Sequence, residues 1–388
     1  MKLTLSLVAV ASASTVAMAA SQFKGLAYNP KQLKTGQCPT VDTVRDDLKM
    51  LEQYTNQVRI YSVKDCNQGE PVLRAMQGTD WKVQLGLWVS DVEQVYQADK
   101  TELLRLAGIF DFKTQVSSVI VGNEAIYRKE QTQAQIADKV TDVKNALSKI
   151  GLGDIPVTTS ETWPYYDATL INAVDYVNMH AFPFWEGTSI DGAQTKVFQH
   201  IYDMQKLAGN KKVVVGETGW PDAGGNYDQA VPSLQNEHRY LQEFICRASL
   251  ENIDYVWFSA FDEAWKPTTN ASDVETHWGI IKGDKTPKFA SPMYNCKGFV
   301  PSSKIGDSES SSAGDSSDAD NGEGISDIEE EQSDLDSDAS ESSNESHYTS
   351  KHNSNESKSS DALPLTAHGY SAVGIAFSAI ALVTTSFF

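Results

Sequence analysis

Two short runs constrain this chain more than anything else in it: Ser118-Val-Ile-Val-Gly-Asn-Glu124 and Lys212-Val-Val-Val-Gly-Glu217. Each is β-branched and apolar at consecutive positions, so neither alternates as a strand with one wet face does. A strand that is apolar on both faces belongs in a parallel sheet covered on both sides. Each run then reaches a Gly and delivers a glutamate. In α/β barrels the C-terminal ends of the strands carry the chemistry, so the two carboxylates are expected at one mouth.

The segment between residues 20 and 300 reads throughout as strands alternating with helices. The strand candidates are Phe23–Tyr28, Gln57–Tyr61, Lys82–Trp88, Ser118–Glu124, Pro156–Ser160, Tyr176–His180, Lys212–Glu217 and Asp254–Phe261. Eight strands close a barrel, and the length suits a single α/β domain, a (β/α)8 TIM barrel of about 250 residues or slightly more. Thr40 is a candidate cap for a helix that turns Val41, Val44, Leu48 and Leu51 inward. Thr132 and Gln135 form a capping box, Ile136, Val140, Val143, Leu147 and Ile150 a stripe, and Gly151 a stop. The competing fold, a doubly wound open sheet, usually has a Gly-rich phosphate loop after its first strand, and Tyr28-Asn-Pro30 is not one.

Both ends of the chain are expected to lie outside the domain. Lys2, the apolar run from Leu3 to Val10 and Ala17-Met-Ala19 make residues 1–19 a secretory signal peptide. Residues 361–388 read as a lipid-attachment signal that is removed on processing: small residues, a polar spacer and an apolar end, with Ser360 the expected attachment site for a GPI anchor. Residues 301–360 are rich in Ser, Asp and Glu and hold much of the acidic excess behind the net charge of −20. Such a stretch buries too little apolar surface to offset ordering entropy and reads as a disordered stalk. Its charge argues against nucleic acid as a partner. Together the two signals imply a secreted protein held at the cell surface, on the outer membrane leaflet or in the wall. Asn270, Asn344 and Asn355 match the N-glycosylation acceptor pattern. Cys38, Cys66, Cys246 and Cys296 allow three disulfide pairings; the one expected joins Cys38 to Cys66 and Cys246 to Cys296. Their spacing does not suit a metal site, and no cofactor is implied.

Other acids also follow strands: Asp91, Glu161 and Asp262-Glu263. Glu124 and Glu217 stand out because each closes a wholly apolar strand, where rigid backbone can hold it. Two carboxyls held about 5–5.5 Å apart can cleave a glycosidic bond with retention, one as nucleophile and one as general acid and then base. Asn123 is placed to bond a sugar hydroxyl. Sugar faces stack on aromatic rings, and Tyr28, Tyr61, Trp88, Phe184, Trp185, Trp220, Trp265 and Trp278 are candidates. Trp185 and Trp220 lead because Gly or Pro flanks each in a loop. His180, ending the sixth strand, could bond a catalytic carboxylate.

Three stretches, Val121-Gly-Asn-Glu-Ala-Ile-Tyr-Arg128, Val215-Gly-Glu-Thr-Gly-Trp-Pro221 and Phe261-Asp-Glu-Ala-Trp-Lys266 leading to Val274-Glu-Thr-His-Trp-Gly-Ile280, resemble family seventeen glycoside hydrolases. The likeness is to the fungal cell-wall β-1,3-glucanases and glucanosyltransferases and runs from Phe23 to Cys296. It implies a (β/α)8 barrel and a retaining mechanism, with Glu124 as acid/base, Glu217 as nucleophile, and Glu263, Lys266 and Glu275 around the cleft. The expected activity is endo-type hydrolysis of cell-wall β-1,3-glucan, transfer of its chains, or both. The alternatives are another glucan linkage, or a non-catalytic wall protein that binds glucan or adheres through a barrel scaffold.

Overall fold

The computed structural model describes residues 23–266, 268 and 273–301. Eight parallel strands close into a barrel in chain order, each paired with its sequence neighbours and the last with the first. They are β1 (Leu26–Ala27), β2 (Gln57–Arg59), β3 (Lys82–Leu87), β4 (Val116–Asn123), β5 (Val157–Thr162), β6 (Val177–His180), β7 (Val213–Thr218) and β8 (Tyr255–Trp257). The helices between them are α1 (Val41–Leu51), α2 (Gly69–Ala75), α3 (Glu93–Ala107), α4 (Phe112–Gln115), α5 (Gln133–Lys149), α6 (Ala168–Ala173), α7 (Ile190–Ala208) and α8 (Leu234–Leu250). All eight strands stand where the apolar runs place them.

Local chemistry explains the helix ends. The Thr40 hydroxyl accepts from Thr43 N while the Thr43 hydroxyl accepts from Thr40 N. Thr132 and Gln135 make the same reciprocal pair at α5. Each box satisfies two main-chain donors that a helix start leaves open. Ile136, Val140, Val143 and Leu147 are buried as the stripe requires. Ile150 is not: α5 ends at Lys149, and Ile150 is 50% exposed past the last turn. Gly151 follows with φ +77°, a conformation that costs glycine least.

The eighth strand is shorter than its apolar run. After Trp257 the chain leaves the ladder, and residues 259–261 bond an excursion near 278–281: Ser259 N to Trp278 O at 2.8 Å and Ile281 N to Ala260 O at 3.1 Å. Past that excursion the last segment packs along α8, where His238 Nε2 lies 3.0 Å from Met293 O and Asn295 N donates to Gln242 Oε1 at 2.9 Å. Both expected disulfides are present, Cys38–Cys66 between the loops after β1 and β2, and Cys246–Cys296 between α8 and the last segment. The expected signal peptide, stalk past Pro301 and attachment signal, with Asn270, Asn344, Asn355 and Ser360, lie outside the described residues. Among the described residues no helix is long and apolar enough to cross a membrane.

Candidate active site

Glu124 follows β4 directly and has φ +54°. That left-handed conformation costs a non-glycine residue about 1 kcal/mol or more, so its surroundings must impose it. Glu124 N donates to Ser160 O on β5 at 2.8 Å, and Arg128 N donates to Glu124 O at 2.9 Å. Glu217 lies within β7 and is 5% exposed. Gly216 before it has no room for a side chain, since a Cβ would stand 2.7 Å from Asn178 Oδ1.

The two glutamates converge on His180. Its Nδ1 lies 2.8 Å from Glu124 Oε1 and its Nε2 3.6 Å from Glu217 Oε1. Arg59 Nη1 is 3.0 Å from the same Nε2. A guanidinium can only donate, so Nε2 is the acceptor, and Nδ1 carries the proton and donates it to Glu124. Burial pushes the imidazole pKa down to about 3; Glu217 opposes this and Arg59 reinforces it. His180 is therefore neutral. Arg59 is itself 1% exposed and pairs with Glu217 Oε1 at 3.1 Å, while donating to Gly216 O at 2.9 Å and Asn123 Oδ1 at 2.6 Å. Burial raises the Glu124 pKa to about 7, against the pull of Arg128 and Arg59. Tyr61 sits beside Glu217. Burial first, then that carboxylate, hold the phenol well above its usual range, so it remains a donor.

A second group of charges flanks Glu217. Lys266 Nζ lies 2.8 Å from Glu263 Oε2 and 3.6 Å from Glu275 Oε2. Burial works against the ammonium, but Glu263 and Glu275, with Glu217 behind them, raise its pKa. Burial likewise raises Glu275, with Lys266 opposing. The three residues expected around the cleft are thus brought together.

Two expected contacts are corrected. Tyr28 is fully buried, donates to Asp47 Oδ2 at 2.8 Å and packs on Phe261, so it faces α1 rather than a cleft. Trp220 is also fully buried. Its Nε1 donates to Val231 O at 3.0 Å, and its ring meets Phe184 and Tyr240. Asn123 stands at the site, but its amide oxygen is taken by Arg59. Trp185 is half-buried in an aromatic wall with Phe184, Tyr227 and Trp278. Trp265 abuts Gly36 under Lys31, and Trp88 lies under Arg128. Asp91 is exposed, whereas Glu161 is buried. Arg59 was not anticipated. Its signal was a lone charge inside the apolar run Gln57–Tyr61.

Asp222, Asp262 and His277 offer ligand atoms within 4.8 Å of one another. The Lys288 ammonium already stands there, 2.8 Å from Asp222 Oδ1 and 3.0 Å from Asp262 Oδ1. It also pairs with Glu237 Oε2 at 3.3 Å. A lysine thus takes the position a cation would need.

Among relatives, a glucan 1,3-β-glucosidase of Arthroderma benhamiae is 31% identical over 272 residues, covering 66% of this chain and 85% of that protein. One from Saccharomyces cerevisiae is 30% identical over 272 residues, with 66% and 86% covered. Among solved structures, an active-site mutant of a Rhizomucor miehei β-1,3-glucanosyltransferase in complex with laminaritriose matches with a TM-score of 0.64 and 31% identity, over 71% of this chain and 97% of that one. The model of the BtgE/BtgC glycoside hydrolase domain matches residues 25–279. A closed barrel with paired glutamates at its mouth, matched over its length by that model, belongs to the BtgE/BtgC glycoside hydrolase family.

Proposed function

We propose that this barrel cleaves β-1,3-linked glucan with retention of configuration and passes the chain it holds to water or to another glucan. One observation carries the reading: His180 meets Glu124 through Nδ1 and lies beside Glu217 through Nε2, so the two carboxylates stand within one imidazole of each other. Glu217, paired with Arg59 and flanked by the Tyr61 phenol, attacks the anomeric carbon as an anion. Glu124, with its pKa near 7, protonates the departing oxygen. The oxygen leaves with that proton, and a covalent glycosyl–Glu217 ester remains. Glu124, now a carboxylate, takes a proton from the incoming hydroxyl, which attacks the same carbon and frees Glu217. Water gives hydrolysis and a sugar hydroxyl gives transfer. Neutral His180 keeps Glu124 oriented without adding a charge that would strip its proton. The leader and lipid-attachment patterns support a place at the cell surface, with wall glucan as substrate.

The test is product analysis by mass spectrometry after incubation with defined β-1,3-gluco-oligosaccharides. Shorter products mark hydrolysis and longer ones mark transfer. Glu217→Gln is expected to lose activity by about a thousandfold or more. Equal behaviour of wild type and this variant would leave a glucan-binding scaffold as the reading.

A further inference from the structure

Glu161 lies on β5 and is fully buried. Its Oε1 accepts from Ile126 N at 2.9 Å and its Oε2 accepts from Tyr127 N at 3.3 Å. Those two amides lie two and three residues past Glu124, in the turn whose first bond runs from Arg128 N to Glu124 O. The preceding residue on β5 holds the other side, with Ser160 O accepting from Glu124 N at 2.8 Å. Glu124 is therefore gripped before and after its Cα by consecutive residues of one strand.

We propose that Glu161 is a positioning residue for proton transfer: it clamps the turn that keeps Glu124 in its left-handed conformation and aims the carboxyl at the gap. This rests on Glu124 being the acid/base. A buried acid is a costly way to hold an ordinary turn, and a carboxyl is the side-chain group that offers an acceptor oxygen to each of two adjacent amides. A glutamine at this position would oppose one amide N–H with its own NH2. The strain at Glu124 supplies the reason for the expense, since a residue with φ +54° relaxes unless its neighbours fix it. Burial pushes the Glu161 pKa up to about 8, the two amide bonds pull it down, and Glu124 pushes it further up, so the two carboxyls feel each other.

The test compares two substrates. Laminaripentaose needs a proton on its leaving oxygen. A 2,4-dinitrophenyl β-laminaribioside assayed with azide needs neither acid nor base, because the phenolate departs unaided and azide attacks the glycosyl-enzyme directly. For Glu161→Gln, kcat on laminaripentaose is expected to fall about 10- to 100-fold with KM within about twofold, while the azide-assisted rate stays within about threefold of wild type. Parallel losses on both substrates, or no loss on the pentaose, would overturn the proposal. If that variant does not fold, Glu161→Asp replaces it; its shorter side chain cannot reach both amides, and the same split is expected. Failure of both to fold would assign Glu161 to folding and also overturn the proposal. Glu124→Gln is run alongside. It must lose the pentaose activity and keep the azide-assisted rate; otherwise the acid/base reading itself falls, whereas failure of the Glu161 variants alone leaves that reading standing.

Discussion

Glu124 and Glu217 carry the same functional group in opposite surroundings. Glu217 has a guanidinium 3.1 Å away, and Glu124 has an uncharged imidazole at 2.8 Å. The difference has a thermodynamic cost. A carboxyl whose folded pKa is about 7 instead of 4.5 is disfavoured as an anion, so the fold is unaffected well below the lower value and loses stability as pH climbs from one to the other. Glu124→Gln removes that loss. The variant is expected to gain about 3 kcal/mol over wild type at pH 8 and nothing at pH 4, measured by urea denaturation at both. The same titration places the alkaline limb of wild-type kcat/KM near pH 7. Both glutamates were legible because each closes an apolar strand. Tyr28 and Trp220 were misread because a strand end does not reveal which way a large ring turns. Tyr28 meets Asp47 on α1, and Trp220 meets the carbonyl of Val231. The lone charge at Arg59 was visible, but its role was not, because its partners come from β4, β6 and β7, far away in sequence.

Strands β4 and β7 were legible as runs because Val119–Val121 and Val213–Val215 are apolar and β-branched on both sides, and the capping boxes fixed the starts of α1 and α5. What the pattern could not show was where pairing stops. The run at Asp254–Phe261 goes on past Trp257, yet there Phe258 N and Ala260 N still donate to Thr218 O on β7 and Ala27 O on β1 while Ser259 and Ala260 also bond residues 278–281. Periodicity reports burial, and those residues are buried either way. Gly216 is a point where backbone approach decides the element. Its missing side chain lets Asn178 lie against its Cα, while its carbonyl accepts from Arg59 at 2.9 Å. Gly216→Ala is expected to push Asn178 aside and lower kcat by about tenfold or more, with a stability loss of about 1–3 kcal/mol. Steady-state kinetics and thermal unfolding of the one variant check both.

Lys288 joins parts of the molecule that no single element connects: the loop after β7 through Asp222, α8 through Glu237 and the loop after β8 through Asp262. Burial raises the carboxyls of Glu237 and Asp262, and the ammonium opposes it in both. Lys288→Met leaves buried acids without their cation and is expected to cost about 3–5 kcal/mol at pH 8. Part of that should return at pH 5, where the orphaned acids take up protons; denaturation curves at the two pH values read it. The barrel as a whole was the most legible feature, because eight runs in a suitable length leave few other closures. Its charged hub was not, since Asp222, Glu237, Asp262 and Lys288 carry no spacing that sequence alone can interpret.

The ring of strands is joined by one aligned pair, Leu26 with Trp257. Phe23 packs near that join, tilted against Trp257 and edge-on to Tyr294, and the Cys246–Cys296 bond lies between α8 and the segment bearing Tyr294. Sulfur atoms bond only when their backbones are already within a few ångströms, and here it is the packing of the final segment on α8 that brings them there. The covalent link thus works as a latch rather than a hinge pin: it fastens to α8 the segment whose Tyr294 packs on Phe23 beside that join.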